Sequence, residues 1–401
     1  MSFSENKNDN NQIKKVIKIP DFRKYVTKST IKNISLHSSG VNITWSDDVT
    51  YSYNRYWLRE NSPDPKTTHP DSLEQLINLL SIPDDLSIKY AEITKSGSMR
   101  IIWFPENHES FYDPSWLRFW GKNRFNKKVG LPNTKLWKNF SDRNFPNVVL
   151  LKEKQEECLL KWLNHLKVYG VAILKGIGCK TKDLQKTIET FGIIKESNFG
   201  KVFDVKLEEE PISNAYTNIE LPLHGDLCTR QFMPKYQFLH CLENSSEAGE
   251  SLLADGFMLT KILKESEPSA FKSLTKTNVH FINKAPSSDY QWVEKVITLD
   301  NSENVTEVRL SPWLRGPVCG NEKEEEDFYK AFRTFMKLAQ ETEHQEKIKL
   351  EAGDLLAFDN TRVLHGRNAI GKGGKRWLRG CYMDGDDVDS TLRMGRIPRL
   401  P

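Results

Sequence analysis

Hydrophobic positions in the first third of the chain fall in short runs of β-branched and aromatic residues separated by polar turns. Val41-Asn-Ile-Thr-Trp45 and Tyr51-Ser-Tyr-Asn-Arg-Tyr56 are two such runs, and residues 88–94 and 100–104 flank a Ser96-Gly97-Ser98 turn. These patterns predict strands and a hairpin. From residue 153 the period lengthens. Cys158, Leu159, Trp162, Leu163 and Leu166 form a helical stripe over 153–166, Val171-Ala-Ile-Leu174 reads as a buried strand, and 183–191 as another helix. Short strands and turns then follow as far as Met383, broken by a helix over 328–343 with Phe328, Phe332, Phe335 and Met336 on one face.

Helices leading and strands following predict a mainly β fold with flanking helices, best satisfied by a double-stranded β-helix, or jelly roll, behind a small β-rich N-terminal domain. The expected divisions are a flexible segment over 1–30, the β-rich domain over 31–120, a basic, Asn-rich connector over 121–150 and the jelly roll over 151–401. Five tryptophans lie within 31–120 and are read as core.

Composition adds little to this picture but excludes several classes. The 401 residues are 38% hydrophobic, enough for packed cores, and no apolar run reaches the length of a membrane span. A net charge of +4 from 58 basic and 54 acidic residues gives no case for nucleic acid. The six cysteines are scattered without a Cys-x-x-Cys pair, which suits reduced thiols. Glu5 and Asp9, with no arginine before Arg23, make a cytoplasmic location a better expectation than a mitochondrial one.

The chemistry is concentrated in two stretches. One is Leu223-His224-Gly-Asp226; the other is Asp359-Asn-Thr-Arg-Val-Leu-His365-Gly-Arg367-Asn, followed by Arg376-Trp-Leu-Arg379-Gly-Cys-Tyr382. Two histidines and a carboxylate form the donor set of a non-haem Fe(II) site, with one face of the octahedron left to co-substrate and O2. Because 141 residues separate His224 from His365, such a site exists only once the sheet has closed. Arg376, 11 positions after His365, offers a planar fork for a carboxylate. Arg379 competes for that role, but an odd offset along a strand points it to the opposite face.

The order His224-Gly-Asp226, Tyr236-Gln-Phe-Leu-His240-Cys-Leu, Gly249-Glu-Ser-Leu-Leu-Ala-Asp255-Gly256, His365-Gly-Arg367, Arg376-x-Leu-x-Gly-x-Tyr382 resembles the gamma-butyrobetaine dioxygenase and trimethyllysine dioxygenase family, within the wider taurine dioxygenase group. The resemblance covers most of the chain from Trp57 onwards. It implies an Fe(II)- and 2-oxoglutarate-dependent oxygenase in which His224, Asp226 and His365 hold the metal and Arg376 binds 2-oxoglutarate. Phe199, Phe203, Tyr216 and Tyr382 match the aromatic positions that surround a trimethylammonium group, which π faces can hold. Lining an ordinary apolar pocket is the alternative for these four. Near the far end of the substrate, 309–315 departs from the family's asparagine-bearing pattern, leaving Arg309 or Arg315 available to an anion.

Trp57-Leu-Arg-Glu-Asn61 resembles the family's N-terminal module, but the following loop to His69 lacks the cysteines of the animal enzymes, so no structural zinc is expected. The expected reaction is hydroxylation of a small quaternary amine, γ-butyrobetaine first and trimethyllysine as the alternative. A non-catalytic jelly-roll binding module is the alternative of a different class. The resemblance also suggests a homodimer, with neither nucleic acid nor membrane as partner.

Overall fold

Two three-stranded antiparallel sheets carry the core of the N-terminal unit: Ile31–His37, Gly40–Trp45 and Thr50–Asn54 in one, Ser87–Ile93, Met99–Phe104 and Glu109–Tyr112 in the other. The computed structural model describes residues 27–123, 130–141, 144–206, 218–370 and 374–399, so residues 1–26 of the segment expected to be flexible lie outside the described residues. The chain divides into two units, 1–129 and 130–401. In the first, Val41, Ile43 and Trp45 on one sheet and Met99, Ile101 and Trp103 on the other are fully buried, as a period of two requires of one-faced strands. They merge with Leu58, Trp116 and Leu117 into one core, against which Trp57 and Trp120 also pack, so all five tryptophans are core residues.

The strand expected over 51–56 stops at Asn54. Its side-chain oxygen accepts from the Tyr56 amide at 2.9 Å and caps the helix Arg55–Glu60. The hydroxyls of Tyr53 and Tyr112 donate to the carbonyls of Leu117 and Leu58, both at 2.7 Å. His69 serves its own turn, its Nδ1 accepting from the amides of Asp71 and Ser72 at 3.1 Å each.

The second unit is built on a six-stranded and a four-stranded sheet. The larger runs, edge to edge, Asn147–Val149, Val171–Lys175, Asp354–Asp359, Tyr236–Asn244, Arg376–Met383, Phe203–Val205; the smaller runs Leu221–His224, Val363–Arg367, Ser251–Asp255, Glu346–Ile348. Neighbouring strands are antiparallel, apart from the edge strand Asn147–Val149, which pairs in parallel with Val171–Lys175. The fold is therefore mainly β with helices added.

Alternation along these strands sorts the side chains into three layers. Leu239, Cys241, Leu356, Phe358 and Leu378 of the larger sheet share a core with Leu253 and Val363 of the smaller, which places the two sheets face to face. Their sequence neighbours point outwards. Phe238, Leu355, Ala357 and Cys381 pack under the helix Gln155–Tyr169 through Leu159, Trp162 and Leu163. Leu252, Ala254 and Leu364 pack under Phe328, Phe332 and Phe335 of the helix Glu322–Gln340. That helix starts six residues before the expected 328, because Asn321 and Glu324 form a capping box at its N-terminus. The helix expected over 183–191 is shorter, Asp183–Ile188.

A bidentate ion pair buried in this unit ties distant segments together. Arg362 donates through Nε to Asp255 Oδ1 at 3.0 Å and through Nη2 to Oδ2 at 2.7 Å, and its remaining N–H groups reach the carbonyls of Val168 and Lys135. Asp255 also accepts from the Trp137 amide at 3.1 Å and caps the helix Gly256–Ser266. Gly366 has a packing role. A Cβ there would sit 2.5 Å from the Leu221 carbonyl oxygen, so only glycine lets the strand Leu221–His224 lie against His365. Among the described residues no helix is long and apolar enough to cross a membrane.

Candidate metal centre and substrate pocket

Antiparallel pairing sets His224 directly opposite His365, on adjacent strands of the smaller sheet. Their rings lie 4.2 Å apart. Asp226 follows the strand end, where Asn360 pins both sides of its peptide: Asn360 Oδ1 accepts from the Asp226 amide at 2.7 Å, and Nδ2 donates to the Asp226 carbonyl at 3.0 Å. As a result Asp226 Oδ1 stands 3.2 Å from His224 Nε2 and 3.7 Å from His365 Nε2. Its other oxygen, Oδ2, accepts from the Tyr382 hydroxyl at 2.7 Å.

The protonation pattern suits a divalent ion. His224 Nδ1 lies 2.9 Å from the Pro222 carbonyl, which can only accept, so Nδ1 carries a proton and Nε2 is the nitrogen that faces inward. Burial, reinforced by the neighbouring His224, pushes the His365 imidazole down to about 3 and keeps it neutral. Burial alone would raise the Asp226 carboxyl. The imidazoles of His365 and His224 and the Tyr382 hydroxyl outweigh it and hold the group below the usual carboxylate range. One carboxylate oxygen and two imidazole nitrogens thus converge within 4.8 Å, a donor set and spacing that fit Fe(II).

Arg376 stands on the same inner face. Along the strand Arg376–Met383 the even residues Leu378, Gly380 and Tyr382 face the smaller sheet, and Cys381 faces the outer helices. Arg376 is buried, with Nη2 3.5 Å from Ser251 Oγ and its Nε without an acceptor among the described residues. Ser251 pairs with Arg367, one inward position along the ladder from the pair Leu253 and His365. Burial and the nearby Arg367 push the Arg376 guanidinium down to about 10. Arg379 takes the outer face, its Nε 3.8 Å from Asp204 Oδ1.

Three of the four expected aromatic positions lie side by side. Phe199 and Phe203 have ring centroids 5.9 Å apart, and Phe203 and Tyr382 5.2 Å apart. Tyr216 lies outside the described residues. Phe203 pairs across the ladder with Gly380, where a Cβ would meet its ring at 2.6 Å, so that glycine makes the space the phenyl occupies.

Several contributors were not singled out from the sequence. Trp313 places its ring 4.7 Å from that of His224, and Phe358 sets its ring, tilted, 4.6 Å from that of His365. Arg309 is not available to an anion. Its guanidinium donates to the carbonyls of Cys228 and Arg230 at 2.6 Å each and pairs with Glu307 at 2.8 Å, which fixes the loop after Asp226. Arg315 lies over the Phe332 ring at 4.3 Å. Asn360 sits inside a stretch the sequence marks as important, yet nothing local to it signals a partner 134 residues away.

Residues 135–382 match the taurine catabolism dioxygenase TauD, TfdA family, and residues 33–118 match the gamma-butyrobetaine hydroxylase-like N-terminal family. The chain is similar to the gamma-butyrobetaine dioxygenase of Pseudomonas sp. (strain AK-1), 34% identical over 379 residues that span 93% of this chain and 98% of that one. It is also similar to the trimethyllysine dioxygenase of Meyerozyma guilliermondii, 25% identical over 92% of this chain and 97% of the relative. Among solved structures, the non-heme iron oxygenase OrfP in complex with Fe and alpha-ketoglutaric acid aligns with 60% of this chain and 94% of its own, at 13% identity and a TM-score of 0.47. The chain belongs to the TauD, TfdA family, on the branch of Fe(II)- and 2-oxoglutarate-dependent dioxygenases that holds the gamma-butyrobetaine and trimethyllysine enzymes.

Proposed function

We propose that this dioxygenase hydroxylates a small trimethylammonium substrate, γ-butyrobetaine, while 2-oxoglutarate is oxidised to succinate and CO2. The observation that carries the reading is the position of Tyr382. One side chain closes the aromatic wall with Phe203 and donates its hydroxyl to Asp226, so a cation held by that wall lies beside the three converging donor atoms.

His224 Nε2, Asp226 Oδ1 and His365 Nε2 would hold Fe(II) from one side, and the metal, when bound, supplies the activation of O2 that oxidises an aliphatic C–H bond. The chain's own groups bind and orient. The Pro222 carbonyl keeps the His224 proton on Nδ1, and Asn360 fixes the backbone that aims Asp226. Arg376, a buried cation with an unused N–H, takes the distal carboxylate of 2-oxoglutarate. Phe199, Phe203 and Tyr382 offer π faces to the quaternary nitrogen and keep water from the reacting carbon.

The two facing sheets support reading 151–401 as a double-stranded β-helix, with a β-rich module over 31–120 before it. The test is succinate release with each candidate amine supplied in turn. Fe(II)-dependent turnover coupled to γ-butyrobetaine, and weaker coupling to trimethyllysine and taurine, is the expected result. Stronger coupling to trimethyllysine would move the assignment to that substrate.

A further inference from the structure

Four residues beyond Asp226 stands a guanidinium that the mechanism above does not use. Arg230 is half-buried, and its Nη2 donates to Asn198 Oδ1 at 2.5 Å. Its central carbon lies 2.9 Å from the centroid of the Tyr290 ring. Both partners are neutral, and among the described residues no carboxylate pairs with Arg230. Burial accordingly pushes its pKa down, and among the described residues the hydroxyls of Tyr290 and Tyr382 pull it back up.

The surroundings place this charge beside the aromatic wall. Asn198, which holds the guanidinium, immediately precedes Phe199, and the wall continues through Phe203 to Tyr382. Arg309 holds the Arg230 backbone carbonyl at 2.6 Å, so the position is built into the loop after the metal-binding turn. Asn198 occupies only part of a fork that carries five N–H donors.

A fixed cation next to a binding site for a cation repels any ligand that carries positive charge alone. It favours a ligand whose opposite end is anionic, and a planar guanidinium with free N–H groups is the matching receptor for a carboxylate. Of the two arginines the sequence offered for that task, Arg309 is consumed by backbone carbonyls and Arg315 lies over the Phe332 ring of the outer helix, whereas Arg230 stands beside the aromatic wall. We propose that Arg230 is a specificity-determining residue that receives the carboxylate end of a zwitterionic substrate whose trimethylammonium end lies against Phe199, Phe203 and Tyr382. The assignment rests on the γ-butyrobetaine reading and adds to it a second recognition point.

The test is equilibrium binding by calorimetry to the full chain loaded with Fe(II) and 2-oxoglutarate under nitrogen, so that no turnover occurs. Two ligands are compared: γ-butyrobetaine and butyltrimethylammonium, in which a methyl group replaces the carboxylate. The parent should prefer the zwitterion by about tenfold or more, the worth of a charge-assisted hydrogen bond. Arg230→Gln should remove most of that preference by weakening γ-butyrobetaine, and butyltrimethylammonium should bind as well or better because a like charge has gone. Arg230→Lys, which keeps the charge but loses the fork, should fall between the two. A merely structural role would weaken both ligands alike, and that outcome overturns the proposal. So does an unchanged preference in Arg230→Gln, or in Arg230→Lys should the glutamine variant fail to fold. A parent that binds the two ligands equally overturns the role of Arg230 but leaves the aromatic site standing, whereas a parent that binds neither removes the substrate reading and this assignment together.

Discussion

The Tyr382 hydroxyl donates to Asp226 Oδ2 at 2.7 Å, which leaves Oδ1 as the oxygen that faces both histidines. One residue thereby joins the aromatic wall to the metal-binding turn. Tyr382→Phe keeps the ring and removes the donor. Loss of such a supporting bond typically weakens metal binding by about 10- to 100-fold. Anaerobic titration with Fe(II) should show that loss, while the affinity for a quaternary amine at saturating metal stays near that of the parent. Unchanged metal affinity would mean that the hydroxyl does not orient the carboxylate.

His224→Ala, Asp226→Ala and His365→Ala should each abolish turnover without unfolding the unit, because each removes one of three protein donors. Asp226→Ala also removes the site's single negative charge. Circular dichroism and metal content measured on the same preparations separate loss of the site from loss of the fold. Near-normal turnover in any of the three would show that the assigned donor set is wrong.

Arg376→Lys keeps a charge but loses the planar fork. The concentration of 2-oxoglutarate needed for half-maximal turnover should rise about tenfold or more, since one hydrogen bond to a charged group contributes about 1.5 to 3 kcal/mol. Arg379→Lys, on the outer face, should leave that requirement nearly unchanged. Should the two variants exchange behaviour, the co-substrate lies on the other side of the strand.

Phe203→Leu retains apolar volume but removes one π face, and should weaken a trimethylammonium ligand by about 0.5 to 2 kcal/mol. A neutral isostere, with carbon in place of the charged nitrogen, should bind the parent poorly and be little affected by the change. Comparing both ligands on both proteins separates the cation term from simple loss of contact. Gly380→Ala provides an independent check, because the added methyl displaces the Phe203 ring from its present place. If the isostere binds the parent as well as the cation does, the wall is only hydrophobic.

Asp255→Ala leaves the fully buried Arg362 guanidinium without its carboxylate and uncaps the helix Gly256–Ser266. Removing one partner of such a pair costs about 3 to 5 kcal/mol. Urea unfolding of the second unit should shift by that amount, and Asp255→Asn, which preserves the cap, should lose less. A shift below about 1 kcal/mol, typical of exposed pairs, would show that the burial of this pair is energetically unimportant.

The sequence by itself determined what depends on consecutive residues. A short continuous apolar run marked the buried strand Val171–Lys175, a period of two marked the opposite facing of Arg376 and Arg379, and a helical stripe marked the helix Gln155–Tyr169. Side-chain direction follows from backbone geometry, so spacing alone conveys it. Residue chemistry nominated His224, Asp226 and His365, because few other arrangements call for two imidazoles and a carboxylate. Element ends were read from hydrophobic spacing, which does not weigh caps, so the capping residues Asn54 and Asn321 shifted two of them. Tertiary structure alone decided which groups meet across the chain. Asn360 reaches Asp226 over 134 residues and Tyr382 reaches it over 156, while Arg309 folds back onto the loop after Asp226 instead of facing an anion. No periodicity encodes such contacts. A hydrogen bond depends on distances of a few tenths of an ångström, and those exist only after two sheets have packed face to face and closed the turn between them.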